Sequence, residues 1–464
     1  MIYNKIERSL LKYNCVFILL LANMSCGLMF SQAATIQVDA SSAANGCSLD
    51  EAISSANDNM SIGGCSSGEI GRDVITFSPS LFPVYEIDSF FVISNIPFSA
   101  SATPQITSEI EIIGPDNQPT LLALELGQVM VNSTRAFAIA ANGKLTLRNL
   151  ALKNFPRSSS VVRTGGTIRV AGELIADNIE ITGSRAFFGG AIWIQSGSAF
   201  ISNSTIWDNS AANQGGGIGL SSNSSLTIFD STISNNQAGE QGGGIALAAS
   251  PNSHLSIINS TISENHSDGD GEGGGISLFF AATTQTKSTV NIKNSILSGN
   301  TAPASRDVYF IDSIESGEQD IRYNILGSNS TNYITSTNSL IFFTPENNNI
   351  LATGLTDGIP LRSILGPLRN NGGKTQTHAL IENSPAIDAA IPFTSSGALP
   401  FVFLETGCRN ASTLFGVGNY RTDQRGVARP IGNECDIGAY EYEILDEACY
   451  VLKAKNGNVI NFCL

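Results

Sequence analysis

The chain is short of charge, of histidine and of long apolar runs, and each shortage excludes something. Charged side chains make up 14% of the 464 residues, against about a quarter in an ordinary domain. The 25 basic residues are outnumbered by 40 acidic ones, for a net charge of −15. Nucleic acid and anionic membrane surfaces both demand a basic footprint, so neither is a partner. There are 3 histidines, His254, His266 and His378, and no CxxC pair, which argues against a zinc site. After the first 33 residues no apolar run approaches the roughly 20 residues that span a bilayer. Between the glycine clusters no apolar stripe of helical period survives, which excludes a helical solenoid.

What is present begins with a leader. Lys5, Arg8 and Lys12 precede an apolar stretch centred on Val16 to Ala22, and Ser31-Gln32-Ala33 supplies small residues where a signal peptidase cuts. This order predicts a secretory signal over residues 1–33, cleaved after Ala33. A membrane anchor would need a longer apolar core than one interrupted at Asn23 and Ser25. Two of the 8 cysteines, Cys15 and Cys26, fall in the leader. The rest stand as neighbours, and in an exported chain an even set predicts disulfides. Local pairing costs least in loop closure and gives Cys47–Cys65, Cys408–Cys435 and Cys449–Cys463.

The dominant feature is repetition. Gly189-Gly190-Ala191-Ile192 returns as Gly215-Gly216-Gly217-Ile218, Gly242-Gly243-Gly244-Ile245 and Gly273-Gly274-Gly275-Ile276. The isoleucines are spaced by 26, 27 and 31 residues (192 to 218, 218 to 245, 245 to 276). A second beat lies between them: Asn203-Ser204-Thr205-Ile206, Asp230-Ser231-Thr232-Ile233, Asn259-Ser260-Thr261-Ile262 and Asn294-Ser295-Ile296-Leu297. Another asparagine follows each, at Asn209, Asn236, Asn265 and Asn300, and fainter copies begin upstream at Asn149 and Asn178. A period of this size signals stacked repeats. Leu226-Thr227-Ile228 and Leu255-Ser256-Ile257 alternate apolar with polar, which is the period of a strand. Three short strands per repeat, joined by tight turns, build a parallel β-helix. Glycine then serves turns of positive φ and places where a Cβ would strike the next coil. Asparagine in register from coil to coil forms a hydrogen-bonded ladder. Asn203 and Asn259 also sit in N-x-[ST] triplets that could accept glycans, but the ladder role explains why Asp230 takes the same position.

A solenoid must cover its ends. Ser48 stands three residues before Glu51, a capping box that opens a short helix, and Leu49, Ala52, Ile53 and Ala56 give it one apolar side. Cys47-Ser48-Leu49-Asp50-Glu51-Ala52-Ile53 resembles the CSLREA segment of exported bacterial β-helix proteins, with Asp50 in place of its arginine. The glycine-rich turns and downstream asparagines resemble the repeats of polymorphic outer-membrane proteins, although these prefer phenylalanine where this chain has Ile206, Ile233, Ile262 and Leu297. Four motifs in order, Thr375-Gln376-Thr377-His378-Ala379-Leu380, Ser384-Pro385-Ala386-Ile387-Asp388, Asp423-Gln424-Arg425-Gly426 and Cys435-Asp436-Ile437-Gly438-Ala439-Tyr440-Glu441, resemble a choice-of-anchor Q domain. These resemblances imply a right-handed, pectin-lyase-like fold at the cell surface or outside the cell, with no established reaction. The expected plan is a signal at 1–33, an N-terminal cap at 34–73, β-helix repeats at 74–345, choice-of-anchor-like terminal coils at 346–442 and a disulfide-closed hairpin tail at 443–464, with Asn456-Gly457-Asn458 as its turn.

Three groups of residues are candidates for chemistry or binding. Asp388, Asp423, Arg425 and Asp436 could supply paired carboxylates for glycoside cleavage. They lie in motifs that the resemblance marks as structural, and an arginine among aspartates also satisfies charges packed under a loop. Asp268, Asp270 and Glu272, at alternate positions between glycines, resemble a calcium loop but equally a solvated acidic turn. No other cofactor is expected. Trp193, Phe187-Phe188, Trp207 and Phe279-Phe280 could stack on sugar rings, or pack under loops. Polyuronate lyases need a Lys or Arg beside calcium-binding acids on one sheet, where these repeats place Ser, Thr and Asn. The leading expectation is a monomeric, non-enzymatic, adhesin-like surface protein that binds glycan or a protein partner on a sheet face. A polysaccharide lyase or glycoside hydrolase on the same scaffold is the alternative.

Overall fold

A computed structural model describes residues 33–39, 46–81, 91–92, 104–116, 122–125, 135–155, 162–247, 252–269, 273–280, 288–303, 307–312, 319–327, 347–351, 360–391, 422–443, 449–453 and 459–463. The leader falls outside them. One coil illustrates how the repeat folds. Ile192–Ile194 lies in one sheet, Ser198–Ser202 and Thr205–Trp207 form two strands of a second, and Ser210–Gln214 lies in a third. Left-handed residues make its corners: Ser196 (φ 56°), Asn203 (φ 50°), Asp208 (φ 52°) and Gly215 (φ 69°). The next coil turns at Asn223, Asp230, Asn235 and Gly242, and the one after at Asn252, Asn259, Glu264 and Gly273. Asn and Asp tolerate this region because their short polar side chains bond locally.

The coils stack in parallel register. Ile192, Ile218, Ile245 and Ile276 face one another in succession, as do Ile206, Ile233, Ile262 and Leu297. All of them are fully buried, each worth about 1.5–3 kcal/mol relative to an exposed side chain. The triple glycine has a steric origin. Gly242 sits at φ +63°, and a Cβ on Gly243 would collide with the carbonyl oxygens of His266 and Gly274 on the next coil.

Three ladders run along the stack. Asn209, Asn236, Asn265 and Asn300 are linked amide to amide at 3.0, 2.9 and 2.9 Å. A serine ladder was not anticipated. The backbone N–H of Ser204, Ser231 and Ser260 donates to the hydroxyl of Ser231, Ser260 and Ser295 on the following coil, at 3.1 to 3.2 Å. It continues through Asn324 and Asn349. A third ladder links Ser196, Ser224, Ser253 and Ser288 at the opposite corner. Asn259 is itself buried and accepts from Asn294 Nδ2 at 3.2 Å, which leaves no room for a glycan there.

The ends depart from the expected plan. The stack begins earlier than residue 74, because Thr35–Val38 pairs in parallel with Arg72–Phe77, which pairs with Glu109–Ile113. A parallel pair needs a crossover, and helix α1 (Leu49–Asp58) supplies it. Ser48 Oγ accepts from Glu51 N at 3.4 Å, and Ser48 N donates to Glu51 Oε2 at 3.1 Å, closing the capping box. Leu49, Ala52, Ile53 and Ala56 join the coil core, and a Cys47–Cys65 disulfide ties the helix to the loop behind it.

At the other end, only Ile350–Leu351 among the described residues of 346–442 adds to the parallel stack. Leu365–Arg369 and Thr377–Leu380 pair antiparallel instead. With residues 384–391 and 422–443 they form a lobe that folds back onto the stack. Glycine and proline break the strand periodicity there, and Thr375, His378 and Gln424 of the motifs find partners on the coils. The tail is a hairpin of Cys449–Lys453 with Val459–Cys463, and Cys449 faces Cys463 in register. Its turn at 456–458 and Cys408, the expected partner of disulfide-bonded Cys435, lie outside the described residues.

Candidate functional site

The lobe covers one face of the stack. On that face Thr205, Thr232 and Thr261 present hydroxyls from successive coils, because Ile206, Ile233 and Ile262 beside them point inward. Gln424 Nε2 donates to Thr205 Oγ1 at 2.8 Å, Thr232 Oγ1 donates to Gln424 Oε1 at 2.7 Å, and Ala439 N donates to Thr261 Oγ1 at 3.2 Å. His378 Nε2 meets Ser234 Oγ at 2.9 Å, and its Nδ1 meets Gly366 O at 2.8 Å. A serine beside a histidine can be a nucleophile with its base. Here both are buried, 0% and 1% exposed, so the pair is a docking contact.

The four charged candidates are brought together in this lobe, and their geometry is that of a clamp. Asp423 is fully buried and takes hydrogen bonds from Arg425 N, Val427 N, Glu441 N and Arg425 Nε at 2.8 to 3.0 Å. Arg425 also donates to Glu441 O at 2.7 Å and lies 3.6 Å from the Tyr440 ring centre. Asp436 accepts from Asp388 N and Tyr442 N, and Asp388 accepts from Asn433 N and Glu434 N. Each of the three carboxylates accepts at least two backbone N–H groups, which is how a loop cluster is fixed.

Beneath the clamp Asp230, Arg429 and Glu441 are almost wholly buried, with Arg429 3.6 Å from Asp230 and 3.3 Å from Glu441. Burial raises the Asp230 carboxyl to about 8, partly offset by Arg429 and reinforced by Asp423 and Glu441. Burial likewise raises Glu441 to about 7 and moves Asp436 upward. One cation is shared among more acids than it can neutralise, so protons belong to this interface.

The acidic loop is partly visible. Asp268 accepts from Gln237 Nε2 and meets His266 Nε2, each at 2.7 Å, and these two bonds hold its carboxyl below the usual range. Asp270 and Glu272 lie outside the described residues. Among the described residues no group of three or more His, Cys, Asp or Glu is arranged to hold a metal.

The aromatic residues divide. Trp207 donates its indole N–H to Glu180 Oε1 at 2.8 Å, close to the lobe. Phe279 is half-buried, and the Phe280 side chain is outside the description. Phe187, Phe188 and Trp193 form a cluster on the other side of the coil. The two phenylalanine rings meet edge to face at 4.8 Å, and Phe188 lies 5.3 Å from Trp193. Phe187 is 41% exposed. Trp193 projects outward between inward Ile192 and Ile194, in register with Arg169 on one side and Gly219 on the other. A Cβ on Gly219 would lie 2.5 Å from the indole, so that glycine makes the room into which the ring folds.

Phe188 and Trp193 wall an open cleft of about 520 Å³ lined also by Arg135, Thr164, Arg169 and Gln195. The two arginines were not singled out from sequence, since they lie 34 residues apart and only coil stacking brings them together. The available signal was a glycine inside a strand, which marks close approach of another group.

The described residues include no helix long and apolar enough to cross a membrane. No curated protein matches the chain. Residues 132–351 match the family model described as the right-handed β-helix region, and the stack of parallel coils is a right-handed β-helix.

Proposed function

We propose that this is an exported, non-enzymatic surface β-helix that binds glycan in the Phe188–Trp193 cleft, in the manner of an adhesin. The leader and the cysteine pattern support export. The observation that carries the binding role is the cleft itself, an opening on a rigid sheet walled by the half-buried Phe188 and by Trp193, which is 8% exposed, with polar side chains around it. Aromatic faces stack on the apolar faces of sugar rings while polar groups at the rim read hydroxyls. The surface under the lobe carries threonines whose hydroxyls are already engaged by Gln424 and Ala439.

A glycan array run beside a reducing-sugar and unsaturated-product assay tests this reading. Binding without turnover is expected, lost in Phe188→Ala and retained in Trp207→Ala. Turnover of any polymer that disappears in Asp423→Ala or Asp388→Ala would instead establish the lyase or hydrolase reading.

A further inference from the structure

Arg135 and Arg169 are unusual in a chain of net charge −15. Arg135 is half-buried and donates through Nη1 to Thr164 O at 2.7 Å, which fixes it at the wall of the cleft. Arg169 directs Nε and Nη2 at Gln195 Oε1, at 3.0 and 2.8 Å. Gln195 thus occupies both prongs of a fork whose geometry suits a carboxylate. Among the described residues neither arginine has a carboxylate within ion-pairing distance, although acidic side chains outnumber basic ones across the chain. The two cations also oppose each other. Burial first, and then the charge of Arg169, lowers Arg135 to about 10. Two neighbouring cations with neutral partners leave positive potential in a water-accessible cleft, and an anion there would relieve it.

We infer that the cleft takes an acidic saccharide, stacking a sugar ring against Phe188 and Trp193 while Arg135 and Arg169 bind the carboxylate or sulfate that the sugar carries. The inference rests on the glycan-binding reading above and makes it specific. Gln195 is the exchangeable partner: it holds the Arg169 fork until the anion replaces it. The two arginines come from neighbouring coils, and the ring wall comes from the coil that follows, so the site reads one charged sugar unit in a fixed orientation. Arginine rather than lysine is suited to both tasks, since its planar fork matches a carboxylate and lies flat beside an aromatic wall.

The test uses four probes by calorimetry on the intact protein: oligogalacturonate, its methyl-esterified form, a sulfated galactan oligosaccharide and the unsulfated galactan. Oligogalacturonate or the sulfated sugar should bind at least about tenfold more tightly than its uncharged counterpart, as a charge-assisted pair exceeds a neutral one. Added salt should reduce that advantage. Arg169→Gln should bring the acidic probe down to the level of the uncharged one and leave the uncharged probe unchanged. Arg169→Lys should recover only part, because it returns the charge without the fork. Circular dichroism checks that the coils persist, and Arg135→Gln supplies a second variant on a different strand. Equal binding of charged and uncharged probes, with no effect of Arg169→Gln, would overturn the inference and leave the glycan reading standing. Failure of every saccharide, on these probes and on the array, would remove both.

Discussion

Asn265→Ala tests the ladder most directly, because the bonds it removes can be named. Oδ1 of Asn265 accepts from Asn236 N at 3.0 Å and from Asn236 Nδ2 at 2.9 Å. Its Nδ2 donates to Ile233 O, Ser263 O and Asn300 Oδ1 at 2.9, 3.1 and 2.9 Å. The residue is 0% exposed, so water has no ready route to the groups left behind. Asn236 Nδ2 keeps its bond to Ile206 O, but the Asn236 backbone N–H is stranded. A stranded buried donor costs about 1–3 kcal/mol, and the weakened carbonyls and small cavity add to it. A total of ~3 kcal/mol is expected, confined to neighbouring coils because solenoid stability sums over adjacent contacts. Coil opening would then speed up by about a hundredfold, visible as faster amide exchange over residues 233–236 and 261–267. The control is Asn252→Gly. Asn252 is exposed, bonds only Asn223, at 3.3 Å, among the described residues, and sits at φ 54°, where glycine is at ease but alanine would add strain. It should change stability by under about 0.5 kcal/mol. Asn265→Asp adds a check of sign. Its carboxylate would face three oxygens in a buried site, raising its folded pKa. The added loss should therefore be absent below the unfolded value of about 4 and grow as pH rises. Equal exchange in Asn265→Ala and Asn252→Gly would refute the ladder argument.

Docking of the C-terminal lobe should peak between two pH limits. Asp230 and Glu441 are raised when folded, to about 8 and about 7, so the stability they contribute is complete below about 4 and fades as pH rises through those values. Burial lowers His378, so its contribution is complete above about 6.5 and is lost as pH falls toward its depressed folded value. Limited proteolysis of residues 422–443 across pH should show both limbs; Asp230→Asn should weaken the alkaline one, leaving the share of Glu441, and His378→Gln should remove the acid one. Gly219→Ala should push the Trp193 indole aside and abolish saccharide binding while circular dichroism stays unchanged; retained binding would dissociate Trp193 from the cleft. Ser48→Ala should cost about 1 kcal/mol at the N-terminal cap, read as exchange confined to residues 49–58, and a global loss would mean the helix nucleates the coils.

Legibility in the sequence followed how local each cause is. Most coil corners were readable because a left-handed residue usually announces itself as Gly, Asn or Asp, Ser196 and Glu264 being exceptions, and the capping box was readable because Ser48 and Glu51 lie within one turn. The asparagine ladder followed from spacing alone. The serine ladder hid in the same repeats, since Ser204, Ser231, Ser260 and Ser295 read as ordinary small polar residues beside asparagine. Thr205, Thr232 and Thr261 were no more than the third letter of the second beat. Nothing local says that Gln424 and Ala439, far along the chain, seat on them. The charged motifs were found but their role depended on donors from the backbone, which has no letter in the sequence. Arg135 and Arg169 failed for a similar reason, because their meeting is a property of the stack.

A ladder imposes sameness, since a residue placed at one level is answered by its counterparts at the next. The outward column through residues 138, 169, 193, 219, 246, 277 and 309 reads Ala, Arg, Trp, Gly, Ala, Ser, Tyr. Were it uniform, small residues would run its length and the sheet would be flat. Arg169 and Trp193 interrupt it, and Gly219 gives up its side chain so that the indole can lie down. The indole is only 8% exposed, so its packing over Gly219 buries apolar surface and stability explains that part of the interruption. It does not explain Arg169, whose fork meets only the neutral Gln195 among the described residues. A wall against which a ligand is held does, and on the proposed reading the site lies on this column rather than under the lobe, where the threonine hydroxyls are engaged by Gln424 and Ala439 and the Asp423 carboxylate by backbone N–H groups.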